Sequence, residues 1–309
     1  MGITSIEWTD RSINPIRARL NGRTGHYCEK ISPGCKNCYS SRLQPRFGMP
    51  QFQEQRGNSE IEHFFDVSKL KEVLRRRVPT KWFWCDMTDM FGHWVPEGWI
   101  AACFATMAAT TWHTHQVLTK RANRMRSVVT ELYANDGARL IESAEWLASQ
   151  IDACHVGEDE WTFPLKNVHL MVSCEDQQRA DERIPHLLAT PAAVRGISAE
   201  PLIGPLRLDG FLRGKPSHGP WLDWIVVGGE SGPGARDCKL NWLGDIVEQC
   251  RTAGVAVFCK QLGARPLDKH VSADGSSGYG LHPLRFSRKG GDLRDFPESL
   301  RVREFPEVR

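Results

Sequence analysis

The sequence KWFWCDMTD, residues 81–89, contains the pattern that decides the fold: an apolar, strand-like run that ends in charged and polar residues. A helical stretch follows it, from about Pro96 to Ala109. The same succession recurs downstream, with strand-like runs at 115–121, 167–175, 192–200, 222–231 and 255–263. Short buried strands that alternate with helices are typical of βα units in a parallel sheet.

These six runs, with a seventh near Ile13–Ile16, predict an α/β fold: a partial (β/α)6-7 barrel of the TIM type with parallel strands. The helical stretch after 115–121 is expected to continue to about Gln150. We predict that residues 1–263 form the barrel, with a cysteine-containing loop after the first strand. Residues 264–309 are rich in Gly, Pro and charge, and we expect a loop-rich C-terminal appendage that closes the barrel or contacts substrate.

The composition is typical of a soluble globular protein, with 40% hydrophobic and 25% charged residues in a chain of 309. No apolar run of about 18 residues occurs, and the N-terminus lacks a secretory signal, so we expect a cytoplasmic protein without a membrane span. The net charge of +3 indicates no particular partner. Local basic runs, such as 75–77 and 120–126, fit either a solvated surface or a rim that contacts phosphates.

Nearly every strand-like run ends in ionisable or amide side chains. They are Asp86 and Asp89, Lys120 and Arg121, Ser173 and Glu175, Ser198 and Glu200, Glu230, and Lys260 and Gln261. In parallel α/β proteins the carboxyl ends of the strands share one face, where active sites lie. A ring of charges there costs desolvation energy unless it binds something polar, so the pattern favours an enzyme. Taken singly, each residue could equally be a cap or part of a structural salt bridge.

Three of the ten cysteines lie within eleven residues, in the segment HYCEKISPGCKNCYSSRL (26–43). The other seven are dispersed in mostly apolar settings and are predicted to be small core residues. Cys28, Cys35 and Cys38 have the spacing C-x6-C-x2-C, and residues 32–34 are expected to form a turn between them. In a reducing compartment such a group indicates a metal site.

Three thiolates leave one metal position without a protein ligand. One interpretation is structural zinc, with a fourth ligand such as His26 or a distant cysteine; another is a chance group of thiols. Structural zinc usually has two paired knuckles or a following histidine pair, and only one C-x-x-C occurs here. We therefore favour a [4Fe–4S] cluster in which three irons are bound by cysteine and the fourth is open.

Three close cysteines after a first strand, followed by a parallel partial barrel, resemble the radical S-adenosylmethionine (radical SAM) superfamily. The usual spacing there is C-x3-C-x2-C, and this chain has three extra residues in the first gap. An aromatic residue usually precedes the last cysteine; here Asn37 stands there and Tyr39 follows.

The chain resembles more closely a phage-associated three-cysteine family of that superfamily. The shared blocks are IEWTD, NP, SPGCKNCY, DMTDMF, QVLTKR with NRM, SAEPLIGP, VVGGESGPGAR and FCKQLG, in order from Ile6 to Gly263. One departure is the basic insert RARLNGRTGHY (17–27), which is expected either to contact substrate or to form a longer loop.

This resemblance implies that S-adenosylmethionine binds the open iron through its amino and carboxylate groups. An electron from the cluster, supplied by an external donor such as flavodoxin or ferredoxin, would then generate a 5′-deoxyadenosyl radical that abstracts a hydrogen atom. On this interpretation the candidate cofactor-binding residues are Tyr39, Asp86, Thr88, Asp89, Ser173, Glu175, Ser198, Glu200, Gly228 and Gly229. The candidate catalytic residues are Lys120, Glu230 and Lys260, and the candidate substrate contacts are Arg17, Arg19, Arg121, Arg236 and Gln261.

Phage association and the basic runs suggest DNA as the partner. We expect a base turned out of the stack and modified, specifically a carbon rearrangement (isomerisation) of a glycyl-substituted thymine in hypermodified phage DNA, in the cytoplasm of an infected bacterial host. One alternative is a radical SAM enzyme that repairs DNA or modifies tRNA. Another, of a different class, is a non-catalytic nucleic-acid-binding protein with structural zinc.

Overall fold

Strands and helices alternate along most of the chain, as the sequence pattern predicts. The computed structural model describes residues 4–54, 60–151, 161–213, 219–271 and 277–307. The strands are β1 (Arg11–Ile13), β2 (Ile16–Leu20), β3 (Arg23–Gly25), β4 (Glu62–Phe65), β5 (Lys81–Trp84), β6 (Thr114–Thr119), β7 (Val168–Ser173), β8 (Val194–Ala199), β9 (Trp224–Gly228), β10 (Cys238–Lys239), β11 (Ala256–Gln261), β12 (Pro266–Val271) and β13 (Ser277–Leu281). The helices are α1 (Tyr39–Leu43), α2 (Leu70–Arg75), α3 (Glu97–Ala108), α4 (Ala122–Leu132), α5 (Ala138–Gln150), α6 (Gln177–Leu188) and α7 (Leu240–Ala253).

The main sheet has seven strands in the order β1-β5-β6-β7-β8-β9-β11. The pairs β1–β5, β5–β6, β8–β9 and β9–β11 are parallel. The prediction of a mixed α/β fold with a seven-stranded parallel sheet, consistent with a partial barrel, is thereby confirmed. All seven runs read from the sequence are strands of this sheet.

The described residues divide into two compact units: 4–171 with 189–194, and 172–188 with 195–307. In the first unit α3 packs on α5, and Trp82 and Trp84 of β5 are fully buried. In the second unit α7 packs on β9 and β11, with Trp224 fully buried. Six of the seven dispersed cysteines are buried, as predicted; Cys154 lies outside the described residues. The division at residue 263 stays a prediction.

One helical stretch differs from the sequence-based expectation. The helical stretch to Gln150 is interrupted between α4 and α5, where Asn135, Asp136 and Gly137 all have positive φ. Asn, Asp and Gly tolerate this left-handed conformation best, so the three residues end one helix and begin the next. No helix in the described part of the chain is long and apolar enough to cross a membrane.

The basic insert 17–27 forms part of a second, antiparallel sheet in the first unit, with the order β3-β2-β4. Asn21 and Gly22 make the β2–β3 turn, with φ of 47° and 73°. An Asn-Gly pair is the typical sequence of a tight hairpin turn. In the second unit, β10, β12 and β13 form a further sheet. Strands β12 and β13 lie within the predicted appendage, whereas β10 precedes it.

Candidate site at the cysteine loop

The three clustered cysteines lie in one loop of the first unit, residues 26–38, between β3 and α1; we call it the cysteine loop. Residues Pro33–Cys35 form a single helical turn, which confirms the predicted turn, and the Cys38 N–H donates to the Cys35 carbonyl over 3.3 Å. All three thiols are free and half-buried. Helix α1 then begins at Tyr39.

The donor set suits an iron–sulfur cluster, because three thiolates on one loop leave one iron open. Within the described residues, however, no group of three or more His, Cys, Asp or Glu side chains is arranged to hold a metal ion. That holds for the three cysteines and for His26. Cys38 and Cys35 both add to the raised pKa of Cys28, after the larger effects of burial and Asp89.

Arg121 ties Cys28 to the ends of β5 and β6. Its guanidinium donates to Asp89 over 2.9 Å, lies over the Trp94 ring at 4.7 Å and is close enough to Cys28 to act electrostatically on its thiol. Burial raises the pKa of Cys28 to about 12; Asp89 adds to the rise and Arg121 opposes it. The thiol is thus protonated at neutral pH.

The Asp89 carboxylate is buried and saturated with hydrogen bonds. It accepts from the Thr119 hydroxyl (2.6 Å), the backbone N–H groups of Phe91 (3.0 Å) and Lys120 (3.1 Å), and Arg121. Asp89 therefore holds the end of β6 against the residues that follow β5. Its role in binding a cofactor stays a prediction.

Asp86 and Thr88, also just after β5, form hydrogen bonds with residues at the two ends of the cysteine loop. The Tyr39 hydroxyl donates to the Asp86 carbonyl (2.6 Å) and carboxylate (3.2 Å), and the Thr88 hydroxyl donates to the Tyr27 carbonyl. Asn14, which follows β1, donates to the Asp86 carboxylate and accepts from the backbone N–H of Met87, in the loop that follows β5. Burial raises the pKa of Asp86, and these hydrogen bonds oppose the rise.

Sequence reasoning missed the residues that surround Arg121. Glu29 is buried, accepts from the Tyr27 hydroxyl (3.0 Å) and pairs with His93 (3.4 Å). The Tyr27 and Trp94 rings meet edge to face at 4.9 Å. Neither Glu29 nor His93 ends a strand, so no periodic signal marks them; the only signal is their closeness in sequence to Cys28 and to the DMTDMF block.

The arginines of the basic insert are balanced by acids on the neighbouring strand region. Arg17 lies 3.5 Å from Asp66, and Arg19 lies 3.2 Å from Glu62. Local pairing of this kind reduces the charge that β2 can offer to a phosphate, because each carboxylate offsets its partner. Their predicted contact with substrate remains untested.

In the second unit, one group of predicted residues gathers around Glu200. Lys260 lies 3.1 Å from its carboxylate, and the Ser198 hydroxyl donates to it over 3.3 Å. A Cβ at Gly228 would lie 2.9 Å from a Glu200 oxygen, so this glycine is required by the packing of the strand ends. Gln261 donates to the Gly229 carbonyl over 2.8 Å.

The remaining predicted residues of the second unit form ion pairs. Arg236 binds Glu230 in a two-pronged contact of 2.7 and 2.9 Å. Glu175 is fully buried against Arg183 at 3.0 Å, and Arg183 also donates to the Ser173 carbonyl. A buried carboxylate needs such a partner, so a structural role accounts for these pairs as well as a binding role does.

The comparison with curated proteins found no match, and the comparison with solved structures found none either. A family model described as "Protein of unknown function (DUF5131)" matches residues 3–284, which is most of the chain and includes the cysteine loop and the ends of all seven strands of the main sheet. The chain belongs to the DUF5131 family.

Proposed function

We propose that this protein is a radical SAM enzyme that modifies a nucleic-acid base, with Cys28, Cys35 and Cys38 holding a [4Fe–4S] cluster. One observation carries the proposal: three free thiols lie on a single loop that Asp86 and Thr88 fasten to the end of β5, at the edge of a parallel α/β sheet. Active sites of parallel sheets lie at this edge. We also propose that the sheet is of the partial TIM type.

With S-adenosylmethionine bound, the cluster would supply a carbon-centred radical able to remove a hydrogen atom from an unreactive C–H bond. The chain's own residues position this chemistry. The hydrogen bond between Tyr39 and Asp86 keeps the start of α1 beside the end of β5. Arg121 binds Asp89 and acts electrostatically on the nearby Cys28 thiol. Tyr27 and Trp94 cover that ion pair with aromatic surface and reduce its contact with water.

The proposed substrate is a modified thymine in DNA, rearranged at carbon, with an external electron donor as the second partner. Support comes from the sequence resemblance to the phage-associated family and not from contacts. Lys120, Glu230 and Lys260 are the proposed catalytic residues.

Anaerobic purification with metal analysis tests the cluster. We expect a brown protein that absorbs near ~400 nm, with about four irons per chain. The double variant C35A/C38A should lose the iron, whereas C250A, which removes a buried thiol of α7, should keep it. A colourless protein with about one zinc per chain would contradict the proposal and favour structural zinc.

Cleavage of S-adenosylmethionine tests the substrate class. We expect the reconstituted, reduced enzyme to cleave it faster with hypermodified phage DNA than without, and deuterium in the substituted thymine to appear in 5′-deoxyadenosine. Equal rates with and without the modified DNA would contradict the DNA assignment. Deuterium transfer from a tRNA or a damaged base would identify the alternative substrate.

A further inference from the structure

The stretch from Lys30 to Pro50 carries four cations and no carboxylate. The cations are Lys30, Lys36, Arg42 and Arg46. Lys36 and Arg46 are exposed and Lys30 is half-buried. Within the described part of the chain, these three make no ion pair, in contrast to Arg17 and Arg19. We call the surface of residues 30–50 the basic surface.

Exposed apolar side chains are interspersed with these cations. Ile31, Tyr39 and Phe47 are each exposed by 42–43%. Large exposed aromatic groups beside uncompensated cations are typical of surfaces that bind single-stranded nucleic acid, where the rings stack on bases and the cations contact phosphates.

A cavity of about 480 Å³ opens beside the same stretch, which is within the size range of small-ligand sites. Its lining includes the Tyr27 and Phe52 rings, the Gln51 and Gln53 amides and Lys30. His26 also lines it. Lys30 belongs to the basic surface and also lines the cavity, so the two adjoin.

The distribution of these groups favours one kind of ligand. Cations spread over a stretch of chain match an extended anion better than a single phosphate, whose ligands would converge on one point. Aromatic rings and amides in a cavity match an unpaired base, whose face and edge are both available. A duplex would hide its bases from the cavity.

We propose that the basic surface binds a single-stranded nucleic-acid segment through its phosphates, with one base in the adjoining cavity. This inference deepens the proposed function and rests on it for its catalytic meaning, because the strand would lie next to Cys28, Cys35 and Cys38. The binding itself requires neither cluster nor S-adenosylmethionine.

Fluorescence anisotropy with a labelled single-stranded DNA oligonucleotide, over a series of salt concentrations, tests the proposal on the full chain. The variant K30Q/K36Q/R46Q should bind about tenfold more weakly at low salt, and its plot of log K against log salt should flatten by about 2, or ~0.7 for each lost phosphate contact. The matched control is K166Q/R207Q/R251Q, which removes three exposed cations that lie outside residues 30–50 and outside the basic runs. This control should bind as the wild type does.

Equal loss in both variants, or no loss in either, overturns the proposal, as does the absence of measurable binding by the wild type. A strand of abasic sugar-phosphates should bind more weakly than the normal strand; equal binding excludes the cavity as a base site. A duplex or an acidic peptide that binds as tightly as the single strand also overturns the proposal. A matched RNA strand shows whether DNA or RNA is preferred. The iron content of the protein is measured separately, so that a failure of the proposed function can be distinguished from a failure of nucleic-acid binding.

Discussion

Arg121 is the residue on which the candidate site depends most. One planar guanidinium donates to Asp89, lies over Trp94 and opposes the rise in the pKa of Cys28. Lysine could not replace it, because a single ammonium lacks both the fork of donors and the flat face. The Asp89 carboxylate beneath it is buried, so the pair contributes both to stability and to the position of Cys28.

We expect R121M to lower the free energy of unfolding by about 2–4 kcal/mol, because it leaves the buried Asp89 charge without its cation. The matched variant R139M removes an arginine whose pair with Glu97 is partly exposed, and it should cost less than ~1 kcal/mol. Urea unfolding monitored by tryptophan fluorescence gives both values. Similar losses in the two variants would contradict the assigned importance of Arg121.

Buried histidines make stability depend on pH. Burial lowers the pKa of His115 to about 3 and that of His169 to about 4. The Nδ1 of His115 accepts from the Trp84 indole, which requires a neutral ring. Each folded pKa lies below the unfolded value of about 6.5, so the unfolded state binds more protons and stability is lost as pH falls below ~6.5.

We expect the chain to lose about 2 kcal/mol per buried histidine between about pH 6.5 and 5. The variant H115Q should show a shallower pH dependence, even though its stability at pH 7 is lower. H270Q, which changes an exposed histidine, should keep the wild-type slope. Urea unfolding at several pH values measures the slope; an unchanged slope in H115Q would count against a buried, neutral His115.

At the scale of elements, the break between α4 and α5 is the place where a periodic sequence does not continue as one helix. Gly137 has a φ of 75°, and a Cβ there would lie 2.2 Å from the Phe163 ring. Both the left-handed backbone and the contact with Phe163 require glycine. Helical periodicity continues across the break, so an apolar pattern by itself does not reveal it.

We expect G137A to destabilise the protein by about 2 kcal/mol or more, because it adds backbone strain to a steric overlap. G244A should stabilise by roughly 0.5–1 kcal/mol, since Gly244 lies within α7 and nothing approaches its Cβ position. The opposite signs are measurable by thermal unfolding. Stabilisation by G137A would show that the break between the helices is not required.

At the scale of the whole molecule, the C-terminal segment completes the second unit. The Arg303 guanidinium donates to the carbonyls of Cys259, Lys260 and Gly291 and lies over the Phe258 ring. The Cys259 N–H donates to the Val302 carbonyl, so this segment covers the outer side of β11. The segment that the sequence predicts to be loop-rich thus forms hydrogen bonds with β11, a strand of the main sheet.

We expect R303A to lower the free energy of unfolding by about 2–3 kcal/mol, because it leaves carbonyls of β11 with fewer hydrogen-bond partners. R294A removes an arginine that pairs with Asp292 at the exposed surface and should leave stability close to that of the wild type. Denaturant unfolding of the full chain compares them. Equal stability of R303A and the wild type would show that the segment is not needed to hold β11.

Much of the fold was predictable from local pattern. The runs at 81–89 and 222–231 alternate with helical stretches, and both are strands of the main sheet. The ends of the strands differ from the pattern: the first run forms a strand only over Lys81–Trp84, because Cys85 has a positive φ. The hairpin turn at Asn21 and Gly22 could also be predicted from the sequence, because an Asn-Gly pair is typical of such turns.

The sequence by itself determined the parallel α/β sheet, the turn within the cysteine loop and the choice of residues that end the strands, because period and turn chemistry are local properties. Only the tertiary structure decided which polar side chains meet: Arg121 with Asp89, Glu29 with His93, and Arg17 with Asp66. These partners are far apart along the chain or lie on different elements. Their pairing follows from strand order and burial, which a linear pattern does not specify.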